Sequence, residues 1–213
     1  DKPQKGRYRE FYQCDGDVIG TNSLLNEVEL IQIIDEVFDR LGLNVTIMFN
    51  NRKLLKGLSS HINEPDMFME MTMVVDKLDK IGKEKVKEEL VQRGMNTESV
   101  EALDPFLELE GTNSDKIGLL REWLSDEESI RGMDEIQELL DYTDSIELNN
   151  SLVFDPKLAR GLDYYTGTIF EVKANDMDMG SICGGGRYDD LTGVFGLQDV
   201  SGVGISFGAE RIY

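Results

Sequence analysis

The sequence predicts an α+β fold: a mainly antiparallel sheet flanked by helices and interrupted by an all-helical insertion. Three observations predict it. Segments rich in aromatic, β-branched and glycine residues, with strand-like texture, occur before residue 60 and again after residue 145. Between them, from His61 to about Asp144, apolar residues recur only at helical spacing. Charge is spread just as unevenly. The chain of 213 residues holds 22 Lys+Arg and 42 Asp+Glu, a formal −20, yet residues 62–150 alone hold 24 acidic against nine basic residues, a net of −15. A helical, acidic middle between β-containing flanks reads as an insert in one sheet, with the acidic surplus on a solvated outer face.

Taken in order, residues 8–19, YREFYQCDGDVI, read as the first strand. Leu24, Leu25, Val28, Ile31, Val37 and Phe38 then recur at helical spacing from Asn22 to Leu41, and Gly42 stands where a C-terminal cap belongs. VTIMF at 45–49 is a short buried strand, and Asn50 or Asn51 caps a helix running through Leu58. Short amphipathic helices are predicted at 66–80, 83–93, 97–109, 114–125 and 132–142, punctuated by Gly82, Gly94, Gly111 and Gly132. From Ser145 onward IEL, LVF, TGTIFEVKA, SIC and GVGISF predict strands separated by glycine-rich turns. The expected domains are residues 1–60 and 145–213 as two parts of one core, with 61–144 inserted.

Composition narrows the function classes. With 40% hydrophobic and 30% charged residues the chain is globular rather than disordered. No apolar run approaches the roughly 18 residues of a membrane helix, and no signal peptide is recognisable, so the cytoplasm is the expected compartment. Cys14 and Cys183 stand far apart without a CxxC, which indicates neither a disulfide framework nor a thiolate zinc site. A single histidine, His61, excludes a His-rich metal site. The overall negative charge argues against gripping nucleic acid through a general positive field.

Three segments concentrate arginine, aromatic and glycine beyond the needs of a core. In GRYREFYQCDGD, strand alternation puts residues 7, 9, 11, 13, 15 and 17 on one face: Arg7, Arg9, Phe11, Gln13, Asp15 and Asp17. Such a face is either open to water or holds a ligand, since each unpaired polar group buried there would cost roughly 2 kcal/mol or more. LARGLDYYTGTIFE places Arg160 beside Gly161, with Tyr164 and Tyr165 close behind, and SICGGGRYDDL carries Gly184–Gly186. Those glycines either let a backbone approach a ligand or supply positive φ angles, and a bulge or hairpin accounts for them equally. GVGISFGAERIY reads as a strand, a turn at Gly208 and a helix opening with Arg211.

These motifs resemble a known family. GRYREFYQCDGD is similar to the second signature motif of class II aminoacyl-tRNA synthetases, ISFGAERIY to their third, and LARGLDYYTG with GGGRYDDL to the two motifs peculiar to histidyl-tRNA synthetases. The resemblance implies a class II synthetase-type sheet whose open face binds histidine and ATP, activating the amino acid as its adenylate before transfer to tRNA(His). It implies Arg7 at the γ-phosphate, Phe11 and Arg211 sandwiching adenine, and Arg160 beside the α-phosphate as the catalytic residue, also in touch with histidine. Gln13, Asp17, Tyr164 and Tyr165 match the positions that hold histidine. Asp17 stands where many bacterial members have Glu, one methylene longer. Magnesium is expected through the phosphates of ATP, with no metal held by protein side chains, and the full-length protein is expected to be a homodimer without membrane contact.

Beginning at Asp1 and ending at Tyr213 in mid-pattern, the chain reads as a fragment. The family's first motif and amino-group loop would precede it and the anticodon-binding domain would follow, so the chain tested alone is expected to be inactive. The alternative reading is a non-catalytic synthetase-like regulatory or sensor protein that binds histidine. Such relatives tend to lose ATP-contacting residues, whereas Arg7, Phe11, Arg160 and Arg211 are all present. A purely interacting acidic helical protein would leave Arg160, the tyrosine pair and Gly184–Gly186 without a role.

Overall fold

The computed structural model describes residues 8–159, 163–177 and 179–213. The chain runs β1 (Gln13–Ile19), α1 (Leu25–Leu41), β2 (Val45–Asn51) and α2 (Arg52–His61). A helical stretch follows: a 3₁₀ turn at Pro65–Met67, α3 (Phe68–Val75), α4 (Leu78–Ile81), α5 (Lys83–Gln92), α6 (Thr97–Ala102), α7 (Asp104–Leu107), α8 (Asn113–Trp123) and α9 (Glu127–Thr143). Strands then return as β3 (Ser151–Phe154), β4 (Thr168–Ala174), β5 (Cys183–Tyr188) and β6 (Gly202–Gly208), with short helices α10 (Leu191–Val194) and α11 (Ala209–Ile212). Two compact units result, one made of the residues up to Phe49, Glu138–Val153 and Tyr164–Tyr213, the other of Asn50–Gln137 and Phe154–Asp163.

The first unit carries a six-stranded sheet in the order β1-β6-β5-β4-β2-β3. β1–β6, β6–β5 and β5–β4 are antiparallel, and the sheet as a whole is mixed. One face is apolar: Val203, Ile205, Phe170 and Val172 are buried, and the Phe207 ring meets Phe38 of α1 at 5.8 Å between centroids. α1 presents Val28, Ile31, Ile34 and Phe38 as its buried stripe. Gly42 ends it in the left-handed conformation, φ 67°, with its N–H bonded to Asp39 and Phe38 carbonyls, as its position in the sequence predicts. Asp35 ties the loop before β3 to α1, its carboxylate accepting from the backbone N–H of Asn149 (3.0 Å) and Asn150 (2.8 Å). Burial works to raise the Asp35 pKa, but these bonds and those from both Asn side chains outweigh it, and the pKa lies below the ordinary carboxylate value.

The second unit is helical. Met71, Val74, Val86, Leu90, Val100, Leu103, Phe106, Leu120 and Met133 form its core. Asn51 caps α2 by accepting from Lys53 N–H (3.0 Å), and Thr112 with Asp115 form a reciprocal capping box on α8. Many of its charges pair near the surface, as in Lys87–Asp104 at 3.0 Å. Among the described residues no helix is long and apolar enough to cross a membrane.

Four local expectations are corrected. β1 starts at Gln13, not Tyr8, because its partner β6 ends at Gly208 and the chain turns there into α11. Tyr12 is held by that helix instead, its N–H donating to Glu210 Oε1 (2.6 Å) and its carbonyl accepting from Ala209 N–H (3.1 Å). The segment Ile146–Leu148 is not a strand, since Ile146 N–H donates back to Thr143 and the following amides go to Asp35. α9 begins at Glu127 and runs through Gly132, where the glycine lets the helix approach the α2 backbone, since a Cβ there would stand 2.6 Å from the Leu54 nitrogen. Gly184–Gly186 form the middle of β5 rather than a turn, and none has positive φ.

Candidate active site

Strand register defines the floor of the site. Asp17 of β1, Gly204 of β6, Gly186 of β5 and Ile169 of β4 lie side by side across the sheet, and Asp15, Ser206, Gly184 and Glu171 form the next row. Paired residues share a face, so the face opposite α1 carries carboxylates, a hydroxyl and glycines where a core would carry branched side chains. The glycines give room to particular groups. A Cβ on Gly204 would collide with the Asp17 carboxylate, one on Gly202 with the Tyr188 ring, and one on Gly186 would stand 2.8 Å from Tyr165 Cδ1.

Asp17 Oδ1 accepts a 2.6 Å hydrogen bond from the Tyr188 hydroxyl. Burial and this neighbouring carboxylate push the Tyr188 phenol far above its ordinary pKa, so it stays protonated and donates at any physiological pH. Tyr164 packs on both neighbours, 4.6 Å from the Tyr165 ring and 6.3 Å, edge-on, from Tyr188. Tyr165 and Tyr188 are buried, whereas Tyr164 is 39% exposed. Gln13, at the start of β1, donates from Nε2 to Ser206 Oγ at 2.6 Å. The structure thus gathers Asp17, Tyr164 and Tyr165 around Tyr188 and leaves Gln13 on the same face, four residues along β1.

Arg211 lies in α11 and donates from Nη1 to the Ser181 carbonyl (2.6 Å). Among the described residues its Nε is buried without a hydrogen-bond partner. Phe11, 39% exposed, adjoins Tyr12, which bonds to the two residues preceding Arg211 in α11. The predicted adenine pair therefore comes from two segments that are joined to each other. Arg7 and Arg160 lie outside the described residues.

Tyr188 is the residue of this cluster that sequence reasoning missed. It stands in the quoted GGGRYDDL motif, but its place opposite Asp17 follows only when the glycines are read as strand. Residues 184, 186 and 188 then share the floor face and Arg187 points to the other side. There Arg187 is buried and bonded to both carboxylate oxygens of Glu27, each at 2.5 Å.

A sheet with one helix-covered apolar face and one open polar face is the fold that the resemblance to class II aminoacyl-tRNA synthetases implies. The chain belongs to the histidyl-tRNA synthetase family, whose sequence model matches residues 1–212. It is 56% identical over its whole length to the histidine–tRNA ligase of Porphyromonas gingivalis and 55% identical to that of Bacteroides fragilis, covering 47% of each relative. Its structure is similar to the crystal structure of histidyl-tRNA synthetase from Nostoc sp. PCC 7120, with TM-score 0.85 and 33% identity, over 97% of this chain and 50% of that one. The chain spans about half the length of the curated relatives it matches.

Proposed function

We propose that the protein containing this chain activates L-histidine with ATP and transfers it to tRNA(His), and that the open sheet face is where the first reaction occurs. The observation that carries this reading is the Asp17–Tyr188 pair flanked by Tyr164 and Tyr165. Neutral imidazole has one N–H donor and one acceptor nitrogen, and a carboxylate beside phenols offers a partner for each. A pocket of this kind can reject substrates lacking the right N–H by roughly 10⁴ without editing. Gln13 completes the polar lining.

In the proposed chemistry a histidine carboxylate oxygen attacks the α-phosphorus of ATP in line. The bond from that phosphorus to the bridging oxygen breaks and pyrophosphate leaves. The terminal ribose hydroxyl of tRNA then attacks the activated carbonyl, and AMP leaves. The chain's task is mostly positioning and charge stabilisation. Arg160, always charged and able to donate two hydrogen bonds at once, would stabilise the pentavalent phosphorus and touch the histidine, Arg7 would hold the γ-phosphate, and Phe11 and Arg211 would enclose adenine. The unsatisfied Arg211 Nε fits a group kept for a ligand. ATP would enter as its magnesium complex, the metal held through the phosphates.

Residues 1–60 and 145–213 would then be two parts of the catalytic core and 61–144 an insertion, in a cytoplasmic homodimer. The test is histidine-dependent ATP–pyrophosphate exchange by the full-length protein with Asp17→Ala. The Michaelis constant for histidine should rise at least about tenfold more than that for ATP, since the ring loses its charged partner. Equal losses for both substrates would place histidine elsewhere.

A further inference from the structure

The ladder between β4 and β5 ends at Ile169 opposite Gly186, so Tyr165 stands beyond it and Tyr188, the last residue of β5, is paired with Gly202 of β6 but not with β4. Side chains take over there. Thr166, directly after Tyr165, donates its backbone N–H to the Arg187 carbonyl (2.9 Å) and its hydroxyl to Asp189 Oδ2 (2.6 Å), and its hydroxyl accepts from Asp189 N–H (3.0 Å). Asp189, directly after Tyr188, also accepts from the Ser201 hydroxyl at Oδ1 (2.6 Å). Ser201 in turn accepts from Arg187 Nη1 (2.6 Å).

Every direction in this chain is forced. A guanidinium can only donate, so the Ser201 proton must go to Asp189, and an ionised carboxylate can only accept, so Thr166 must donate to it. Arg187 and Ser201 are buried and Thr166 and Asp189 half-buried, so each member that turns away breaks a bond at the edge of the buried anchor. The far end is equally fixed: besides Glu27, Arg187 bonds the carbonyls of Thr21 (2.9 Å) and Ser23 (3.2 Å) ahead of α1.

We propose that Thr166, Asp189 and Ser201 are positioning residues, a hydrogen-bonded chain that transmits the rigidity of the Arg187–Glu27 anchor to Tyr165 and Tyr188 and thereby sets the width of the histidine pocket. This rests on the reading of that pocket given above. None of the three need touch substrate. They hold Tyr188 against Asp17 and Tyr165 over Gly186, so their loss widens the pocket without altering the adenine side, which is built from Phe11 and α11.

The test compares Thr166→Val, which keeps the volume and removes the hydroxyl, with Thr166→Ser, which keeps the hydroxyl, in the full-length protein. Exchange assays give separate Michaelis constants for histidine and ATP, and thermal unfolding is followed alongside. T166V should raise the histidine constant about tenfold while the ATP constant stays within about twofold, and T166S should restore the histidine constant to near the parent value. An unchanged histidine constant, a parallel rise for both substrates, or a loss confined to turnover overturns the proposal. If T166V does not fold, Ser201→Ala, which leaves the Thr166–Asp189 bonds in place, decides by the same split. A parent protein without histidine-dependent exchange would overturn the pocket reading itself, whereas an active parent with a T166V indistinguishable from it overturns only the positioning chain.

Discussion

The two units handle charge in opposite ways. In the sheet unit, Arg187 is 4% exposed and reaches a Glu27 that is 0% exposed, 160 residues away in the chain, with every guanidinium group engaged. In the helical unit most pairs join neighbouring helices near the surface, as Lys87 with Asp104 or Lys77 with Glu89, although Arg52 is buried there and donates to the Ala159 carbonyl (3.1 Å). The first pattern removes charges from water and stays favourable only while every partner is present. The second leaves charges hydrated, where removing one costs little. The sheet unit therefore buries a network of charges beside its open face, while the acidic helical unit keeps most of its charge in contact with solvent.

That contrast can be broken or sharpened by substitution. The largest effect is expected from Arg187→Ala, which strands the fully buried Glu27 carboxylate and should cost about 3–5 kcal/mol. Urea unfolding measures it, and a loss under about 1 kcal/mol would erase the distinction between the units. Asp35→Ala comes next. It orphans the amides of Asn149 and Asn150, and a cost of about 2–3 kcal/mol is expected.

Asp35 also predicts a pH dependence. Its folded pKa lies below the unfolded value, so its contribution is present above the ordinary carboxylate range and is lost as pH falls through the folded pKa. The gap between parent and D35A should thus narrow in acid, which unfolding curves at neutral and acid pH would record. The smallest effect belongs to Lys87→Ala in the helical unit: less than about 1 kcal/mol, shrinking further in high salt. A loss as large as that at Arg187 would show that the helical unit also depends on specific charge geometry.

Within the site, legibility followed the range of the interaction. Gln13, Asp17, Tyr164, Tyr165 and Arg211 could be named as candidates because each lies in a short motif whose residue types and spacing resemble a family pattern. The partnership of Asp17 with Tyr188 was not, because it joins residues 171 positions apart through a strand that three consecutive glycines disguise as a turn. Glycine has poor strand propensity in isolation, and it is tolerated in β5 because the neighbouring strands and the site side chains leave no room for a Cβ.

By itself the sequence determined what depends on neighbours within a few residues: the period of α1, its left-handed glycine cap at Gly42, the Asn51 cap of α2, and the strand of β-branched and aromatic residues between them. It also determined the separation of β-containing flanks from a helical middle, since periodicity is a local property. Tertiary structure alone decided where the first strand begins, that Ile146–Leu148 forgoes strand pairing, and that Arg187 and Tyr188, adjacent in sequence, serve opposite faces of the sheet. Those outcomes depend on which distant group satisfies a backbone amide or a buried charge, and a buried donor takes whichever acceptor the fold brings within reach, however far away it lies in the chain.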